Sequence, residues 1–545
     1  MPDPLPSPSP APPPAVDWLE RVALLGASLM LFALCFYSGF RHHTFPYFYH
    51  PDEPGKVEQL VTGKFNYHHP MLLLATARLA TEVLHTPKKP QALVEVGRGV
   101  SAAFMAGAVV MLALLAFLWR GWRAGLVTGA ALALHHQIYE LAHYMKEDSA
   151  LLFGVAWTFL AALAYHQRPT LWRVAVLGAG CALAISGKYI GVVVLGVVLP
   201  VLWAGSRAGE GKRGAQLAAF FGAFAVVLLA VNLSLFIHLV TFGQSFHREL
   251  DLVVKGQGDV TRRVPHALYW NVFIDNSTPA IWLLLVSLIS VCYERWHRLM
   301  LPQKLLLWFP FLYGFMLSFS PKENDRYFLP ATAVFTALAA VGAESLPYLL
   351  SSIYRAWDTR TAQRILSRDS RLWIMLAASA VLVILQITGW SSTKPGWSQY
   401  DAAFVHDDIA ALIAWMNKDL PADAVVVADS RAGLLNPKRR KNKNRAQAVP
   451  QKLTISKFAS DLGTVEELRA KGVTHVIVSE QSYGRFFRDD LKPKDPKKNA
   501  EFERSRQFYD ELKRSDVPLF ERERGTVIYL HPGIRVYRIQ SSDVD

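Results

Sequence analysis

The sequence predicts a polytopic α-helical membrane protein with about eleven spans and a small C-terminal α/β domain. Three observations lead there. The 545 residues are 52% hydrophobic and only 19% charged, with a mean hydropathy of +0.19. Apolar runs approach the roughly 20 residues of helix that cross about 30 Å of hydrocarbon. They are continuous, which excludes the alternating pattern of a membrane β-barrel. After Trp390, helix-period and strand-period segments alternate instead.

Met1 to Val16 is mostly proline, serine and alanine and is expected to be a disordered tail (1–16). It lacks the basic start of a signal peptide, so Val22 to Phe40 is expected to stay as the first span. Further spans are expected near 100–119, 124–143, 149–165, 172–186, 189–204, 215–242, 278–293, 305–320, 327–350 and 372–390, all within a membrane domain of 17–390. The run Pro70 to Leu84 is interrupted by Arg78 and Glu82 and is too short to cross, so it predicts an interfacial helix. It lies in a long loop, 41–99, between the first two spans. In the C-terminal domain, 399–545, helices are expected at 407–420 and 464–471, and strands at 424–428, 474–479, 526–530 and 534–539.

Net charge is +14 and the isoelectric point about 9.5. The basic residues that set it fall largely in alternate loops, such as Arg120 with Arg123 and the run Arg355 to Arg371. The positive-inside rule makes those loops cytoplasmic. The N-terminus is then inside, the C-terminal domain outside, and nucleic acid is not the partner; the run Lys438 to Arg445 falls on the outer side as a solvated loop. Cys35, Cys181 and Cys292 all lie in apolar runs without metal-ligand spacing.

With this topology five charged clusters share the outer face: His50-Pro51-Asp52-Glu53, Lys146-Glu147-Asp148, Gly187-Lys188-Tyr189, Asp275-Asn276, and Lys322 to Arg326. Charge beside hydrocarbon is expensive, so its concentration at one face points to a site. Asp52 and Glu53, bracketed by prolines, suit a general base and a partner that positions it; the plain alternative is an acidic helix start. Glu147 and Asp148 suit either a divalent cation or the same dipole role. Lys188, Lys322 and Arg326 suit a phosphate group, or internal pairing with the acids. His68 and His69 could donate to phosphate, ligate a metal, or simply sit at the interface. His135 and His136, inside the third span, read as histidines satisfied by neighbouring helices.

These residues resemble the GT-C superfamily of integral-membrane glycosyltransferases, in particular its protein-mannosyltransferase and aminoarabinose-transferase-like branch, which uses phospholipid-carried sugars. His50-Pro51-Asp52-Glu53 occupies the place of an acidic first-loop motif. His69-Pro70-Met71-Leu72 is similar to an HPPL-like motif, with Met71 replacing its second proline. Arg326-Tyr327-Phe328-Leu329-Pro330 is similar to an RYLLP-like motif. The resemblance implies transfer of a sugar from a polyprenyl-phosphate donor to a hydroxyl of a glycan, lipid or protein at the outer face of the bacterial inner (plasma) membrane. It implies inversion, Asp52 as base, Glu53 as its positioning partner, and Lys188, Lys322, Arg326, His68 and His69 around the donor phosphate. A divalent ion (Mg, Mn or Zn) on Glu147 or Asp148 is compatible with it. A transporter or lipid flippase would show repeats and mid-membrane charge, and neither is visible. A non-catalytic membrane scaffold would be indifferent to Asp52.

Overall fold

The computed structural model of the protein describes residues 18–208, 213–255, 277–319, 325–355, 357–391, 394–435, 449–493, 495–515 and 517–539. The N-terminal tail, Asp275-Asn276, Lys322 and the basic run at 438–445 lie outside the described residues.

Each of the eleven expected stretches contains helix among the described residues, but they do not make eleven spans. Helix α1 is Trp18–Phe40; α2 (Glu53–Thr62) and α3 (Leu72–Val83) lie in the first loop; α4 is the long Pro90–Arg120. Then come α5 (Trp122–Ala133), α6 (His136–Ala142), α7 (Glu147–Gln167), α8 (Leu171–Gly187), α9 (Leu195–Ala208), α10 (Arg213–Ile237) and α11 (Leu239–Lys255). After these come α12 (Pro279–Glu294), α13 (Leu301–Ser318), α14 (Leu329–Gly342), α15 (Leu346–Arg355), α16 (Thr359–Ile365) and α17 (Arg368–Thr388).

By length and composition, six helices among the described residues can cross a membrane, or seven if the bent pair 325–342 and 346–355 counts as one. Of the remaining expected spans, Leu301–Ser318 is an 18-residue helix outside that group of six, and the others are short or broken. The third divides at Leu134–His135, where His135 leaves the helix and its ring accepts from Gln137 N–H to cap α6. Helices α8 and α12 are apolar but only 17 and 16 residues long. The interfacial segment is the 12-residue α3, with Leu79 and Val83 exposed and Arg78 paired to Glu82 at 3.0 Å.

The bundle is held by close backbone approach as well as by apolar burial. A Cβ on Gly154 would stand 2.3 Å from the Ala184 nitrogen, and one on Gly187 would stand 2.6 Å from that of Leu151. Helices α7 and α8 therefore touch backbone to backbone, the contact small residues allow in membrane interfaces.

Beyond α17, β1 (Gly389–Ser391) and β2 (Lys394–Pro395) form a small antiparallel pair. Then follow α18 (Trp397–Val405), α19 (Asp408–Asp419) and a five-stranded sheet. Its strands are β3 (Val425–Asp429), β4 (Lys452–Ser456), β5 (His475–Ser479), β6 (Phe520–Arg524) and β7 (Pro532–Arg538). They stand in the order β4-β3-β5-β7-β6, parallel across β4-β3-β5 and antiparallel beyond. Helices α20 (Val465–Ala470), α21 (Glu480–Tyr483) and α22 (Pro496–Ser515) complete the unit. The strand expected at 526–530 is instead the loop of the β6–β7 hairpin. Its β-branched and aromatic pattern is used for plugging, not pairing: Val527 and Leu530 are buried, and Leu530 N–H returns to the Val527 carbonyl. The charged segment Phe520–Arg524 takes the edge-strand position, where exposed charge is tolerated.

Candidate active site

The site begins where the first loop turns into α2. Pro54 sits in the first turn of that helix, and Asp52 is its N-cap residue without a side-chain capping bond. The Asp52 carboxylate is thus free to turn outward, while its N–H donates to His50 Nδ1 at 3.2 Å. Glu53 turns inward. Fully buried, it accepts from Arg98 Nε at 2.9 Å and Nη2 at 2.5 Å, and from Met145 N–H at 2.9 Å. Arg98, also fully buried, spends its remaining donor on the His43 and Phe45 carbonyls. This bidentate pair locks α2, α4 and the α6–α7 connection together, and so determines where the neighbouring Lys146 stands.

Lys146 is ion-paired with Asp52, and its N–H donates to Ser101 Oγ at 3.2 Å. On the next residues, Glu147 pairs with Lys56 at 3.0 Å and Asp148 with Lys188 at 2.7 Å. Arg326 closes the circuit from the turn Asp325–Phe328, reaching Asp52 at 3.3 Å and Asp148 at 3.8 Å. Four loop clusters far apart in sequence therefore form one continuous chain of charge. In these contacts five cations (Lys56, Arg98, Lys146, Lys188 and Arg326) pair with four carboxylates, and it is these cations that an anion entering the site would meet.

Burial acts to raise the Asp52 carboxyl, but the Lys146 and Arg326 charges beside it hold it well below the usual carboxylate range. Burial, reinforced by Arg326 and Lys56, pushes the Lys146 ammonium down to about 7. His50 is kept neutral, first by burial and then by Lys146; its ring packs against Tyr144 and Tyr529 at centroid distances of 4.7 and 4.5 Å. Tyr529 comes from the β6–β7 hairpin loop, so the C-terminal unit roofs the first-loop motif. Arg41 paired with Asp401, and Tyr49 donating to Asp407 at 3.1 Å, tie the same two parts together.

Beside the charge chain opens a cavity of about 260 Å³. Lys188, His68, His69, Glu249 and Tyr327 line its polar end; Ile190, Val192, Phe246, Leu250 and Val253 line the rest. Lys188 lies over the Tyr327 ring at 4.3 Å. Burial brings His69 down to about 4, so it meets a ligand as a neutral hydrogen-bonding group. His68 faces Glu249 of α11 at 3.7 Å.

Of the residues singled out from sequence, Asp52, Glu53, Glu147, Asp148, Lys188 and Arg326 converge, and His68 and His69 line the adjoining cavity. Lys322 lies outside the described residues. Glu53 differs in kind from its neighbour: no face of its carboxylate is open. Three participants were not singled out. Lys56 sits one helical turn from Asp52, a spacing visible in the sequence. Lys146 adjoins the acids already noted. Arg98 gave no signal, because only the fold brings it to Glu53.

The donor set does not suit a divalent ion. Glu147 is held by Lys56, Asp148 by Lys188, and Arg326 already stands between Asp52 and Asp148. No group of three His, Cys, Asp or Glu side chains gathers for a metal among the described residues.

Comparisons with known proteins give one family match and several similar folds. The family model of dolichyl-phosphate-mannose-protein mannosyltransferases matches residues 83–246, which carry Arg98, the acidic pair and Lys188. The crystal structure of the Archaeoglobus fulgidus oligosaccharyltransferase superposes with a TM-score of 0.50 at 12% identity, covering 86% of this chain and 71% of that one. ArnT from Cupriavidus metallidurans, bound to undecaprenyl phosphate, gives 0.46 at 13% identity over 96% and 98%. The Saccharomyces cerevisiae protein O-mannosyltransferase Pmt1–Pmt2 complex gives 0.32 at 15% identity over 42% and 35%. Comparison with curated protein sequences gives no match. The chain is an integral membrane protein that shares its fold with the Archaeoglobus fulgidus oligosaccharyltransferase. Over 83–246 its sequence is similar to the dolichyl-phosphate-mannose-protein mannosyltransferase family.

Proposed function

We propose that the protein transfers a sugar from a polyprenyl-phosphate carrier to an acceptor hydroxyl at the extracytoplasmic face, with inversion at the anomeric carbon. The observation that carries this reading is the junction of Asp52, Lys146, Asp148, Lys188 and Arg326 with a cavity that is polar at one end, where Lys188, the two histidines and Glu249 meet, and apolar along the rest. That pairing complements a phosphate on a long hydrocarbon.

In this mechanism Asp52 accepts the acceptor's hydroxyl proton as its oxygen attacks the anomeric carbon. The bond from that carbon to the phosphate oxygen breaks, and the carrier phosphate leaves with the electron pair. Lys188, Arg326 and Lys146 hold the charge that develops on it. Glu53 is a positioning residue: through Arg98 and Met145 it holds Asp52 and Lys146 in register.

The free site also suggests an order of binding. A carboxylate tied to Lys146 and Arg326 is a weak base. A donor phosphate competes for the same cations and so releases Asp52 for catalysis. Donor binding then precedes productive acceptor binding, and the cations do the work a metal would otherwise do.

The test is transfer by the purified protein in liposomes, using radiolabelled polyprenyl-phosphate sugars and membrane extracts as acceptor. Formation of a product with inverted anomeric configuration, lost in Asp52→Asn, is expected. A retained configuration, or full turnover in that variant, would refute the assignment of Asp52.

A further inference from the structure

The end of the bundle remote from the active site holds a second basic cavity. It has a volume of about 450 Å³ and is lined by Arg120, Arg123, Arg368 and Arg371, against which stand only Glu344 and Asp369. Arg98 and Arg120 lie on the same straight run of α4, 22 positions apart, or roughly 33 Å at 1.5 Å per residue. That is the thickness of a hydrocarbon core, so this cavity opens at the opposite membrane surface.

Basic residues at such a surface are ordinary when solvated. Here Arg123 and Arg368 are exposed, whereas Arg120 and Arg371 are half-buried. The Nε atoms of Arg120 and Arg371 are both buried and have no hydrogen-bond partner among the described residues. Among the described residues no ion pair within 4 Å joins the four arginines to either acid, although the Arg120 and Arg123 charges act on Glu344; the Arg371 guanidinium donates to the Tyr348 hydroxyl at 3.2 Å. A guanidinium cannot shed its proton, so four of them around one cavity that holds only two acids leave positive charge for an anion. The rim carries Trp122, 61% exposed, and Trp373, on the same helix as Arg371, is 69% exposed. Exposed tryptophans mark the headgroup level of a bilayer.

We propose that this cavity binds the phosphodiester headgroup of an anionic membrane lipid. Basic pockets between spanning helices recognise such headgroups through charge and guanidinium forks. The bound lipid would join the ends of α4 and α17 to the α14–α15 bend, which supplies Glu344 and Tyr348. It sits at the opposite surface from the donor cavity, and this inference does not rest on the transferase reading.

The experiment follows the thermal unfolding midpoint of the full-length protein in neutral detergent during titration with phosphatidylglycerol, phosphatidylcholine or inorganic phosphate. Phosphatidylglycerol is expected to raise the midpoint saturably, by roughly 2–4 °C, and phosphatidylcholine is not. The double variant Arg120→Gln, Arg371→Gln should lower the apparent affinity at least tenfold, and Arg168→Gln, a change outside the cavity, should leave it unaltered. If the double variant does not fold, Arg123→Gln at the exposed rim serves, with a several-fold loss expected. Equal responses to the two lipids, or undiminished affinity in the cavity variants, would overturn the proposal. Inorganic phosphate matching phosphatidylglycerol would overturn the lipid as occupant and leave a free-anion site.

Discussion

Asp52 and Glu53 are adjacent, identical in charge and opposite in expected behaviour. Glu53→Gln removes the partner of Arg98 in a site where both side chains are fully buried. Arginine cannot neutralise itself, so a stranded charge remains, and breaking a buried pair in this way costs about 3–5 kcal/mol. Asp52 is 40% exposed, and its chief partner Lys146 already sits near neutrality, at about 7. When Asp52→Asn removes the carboxylate, Lys146 can lose its proton, so the stability cost should stay near 1 kcal/mol. The base, however, is gone, and turnover should fall by about 10²–10⁴-fold. Thermal unfolding in detergent, paired with single-turnover sugar transfer, separates the two. Glu53→Gln should melt markedly lower, and Asp52→Asn should melt nearly as wild type while failing to turn over. Glu53→Gln melting like wild type, or Asp52→Asn destabilising as strongly, would refute the division into a positioning and a reacting carboxylate.

Four further outcomes are expected. Because Lys146 is charged only below about 7, the donor KM should rise as pH increases through that value, and Lys146→Arg should flatten the rise; an unchanged profile in that variant would remove Lys146 from the phosphate site. Gly187→Ala should part α7 from α8 and draw Lys188 from Asp148, lowering both the melting temperature and kcat/KM by an amount worth about 1–3 kcal/mol; normal kinetics would show that this close approach does not position Lys188. Chelation with EDTA should leave the transfer rate unchanged, since bases already occupy Glu147 and Asp148; a metal-restorable loss would reinstate them as ligands. In the C-terminal unit, burial pushes Asp429 up to about 7 against donors from Ser479, Ala459 and Tyr509. The folded form then holds its proton more tightly than the unfolded one, so this group's contribution falls as pH rises from about 4 to 7. Hydrogen exchange at the Ala459 and Ser479 amides should quicken over that range, and a flat response would contradict it.

Much of this was legible before any coordinates. Apolar run length located the helices, since a span must satisfy its backbone internally and needs a minimum length. Charge clustered beside those runs located Asp52, Asp148, Lys188 and Arg326, because charge so near hydrocarbon is rarely idle. Sequence was less able to say where a run breaks. His135 leaves its helix to cap the next, and the apolar stretch at 526–530 became a buried loop, because packing partners overrode local strand preference.

What the sequence determined by itself is membrane insertion and the gathering of acids and bases beside the apolar runs, which follow from composition and local pattern; its short motifs add a resemblance to lipid-dependent transferases. Only the tertiary structure decided which charge answers which. It turned Glu53 inward onto Arg98 and left Asp52 facing Lys146 and Arg326. It also laid Tyr529 over the site from the far end of the chain. Ion pairing acts over a few ångströms of space, and positions from 40 (Asp148 and Lys188) to 274 (Asp52 and Arg326, 326 − 52) residues apart acquire that proximity only when helices pack.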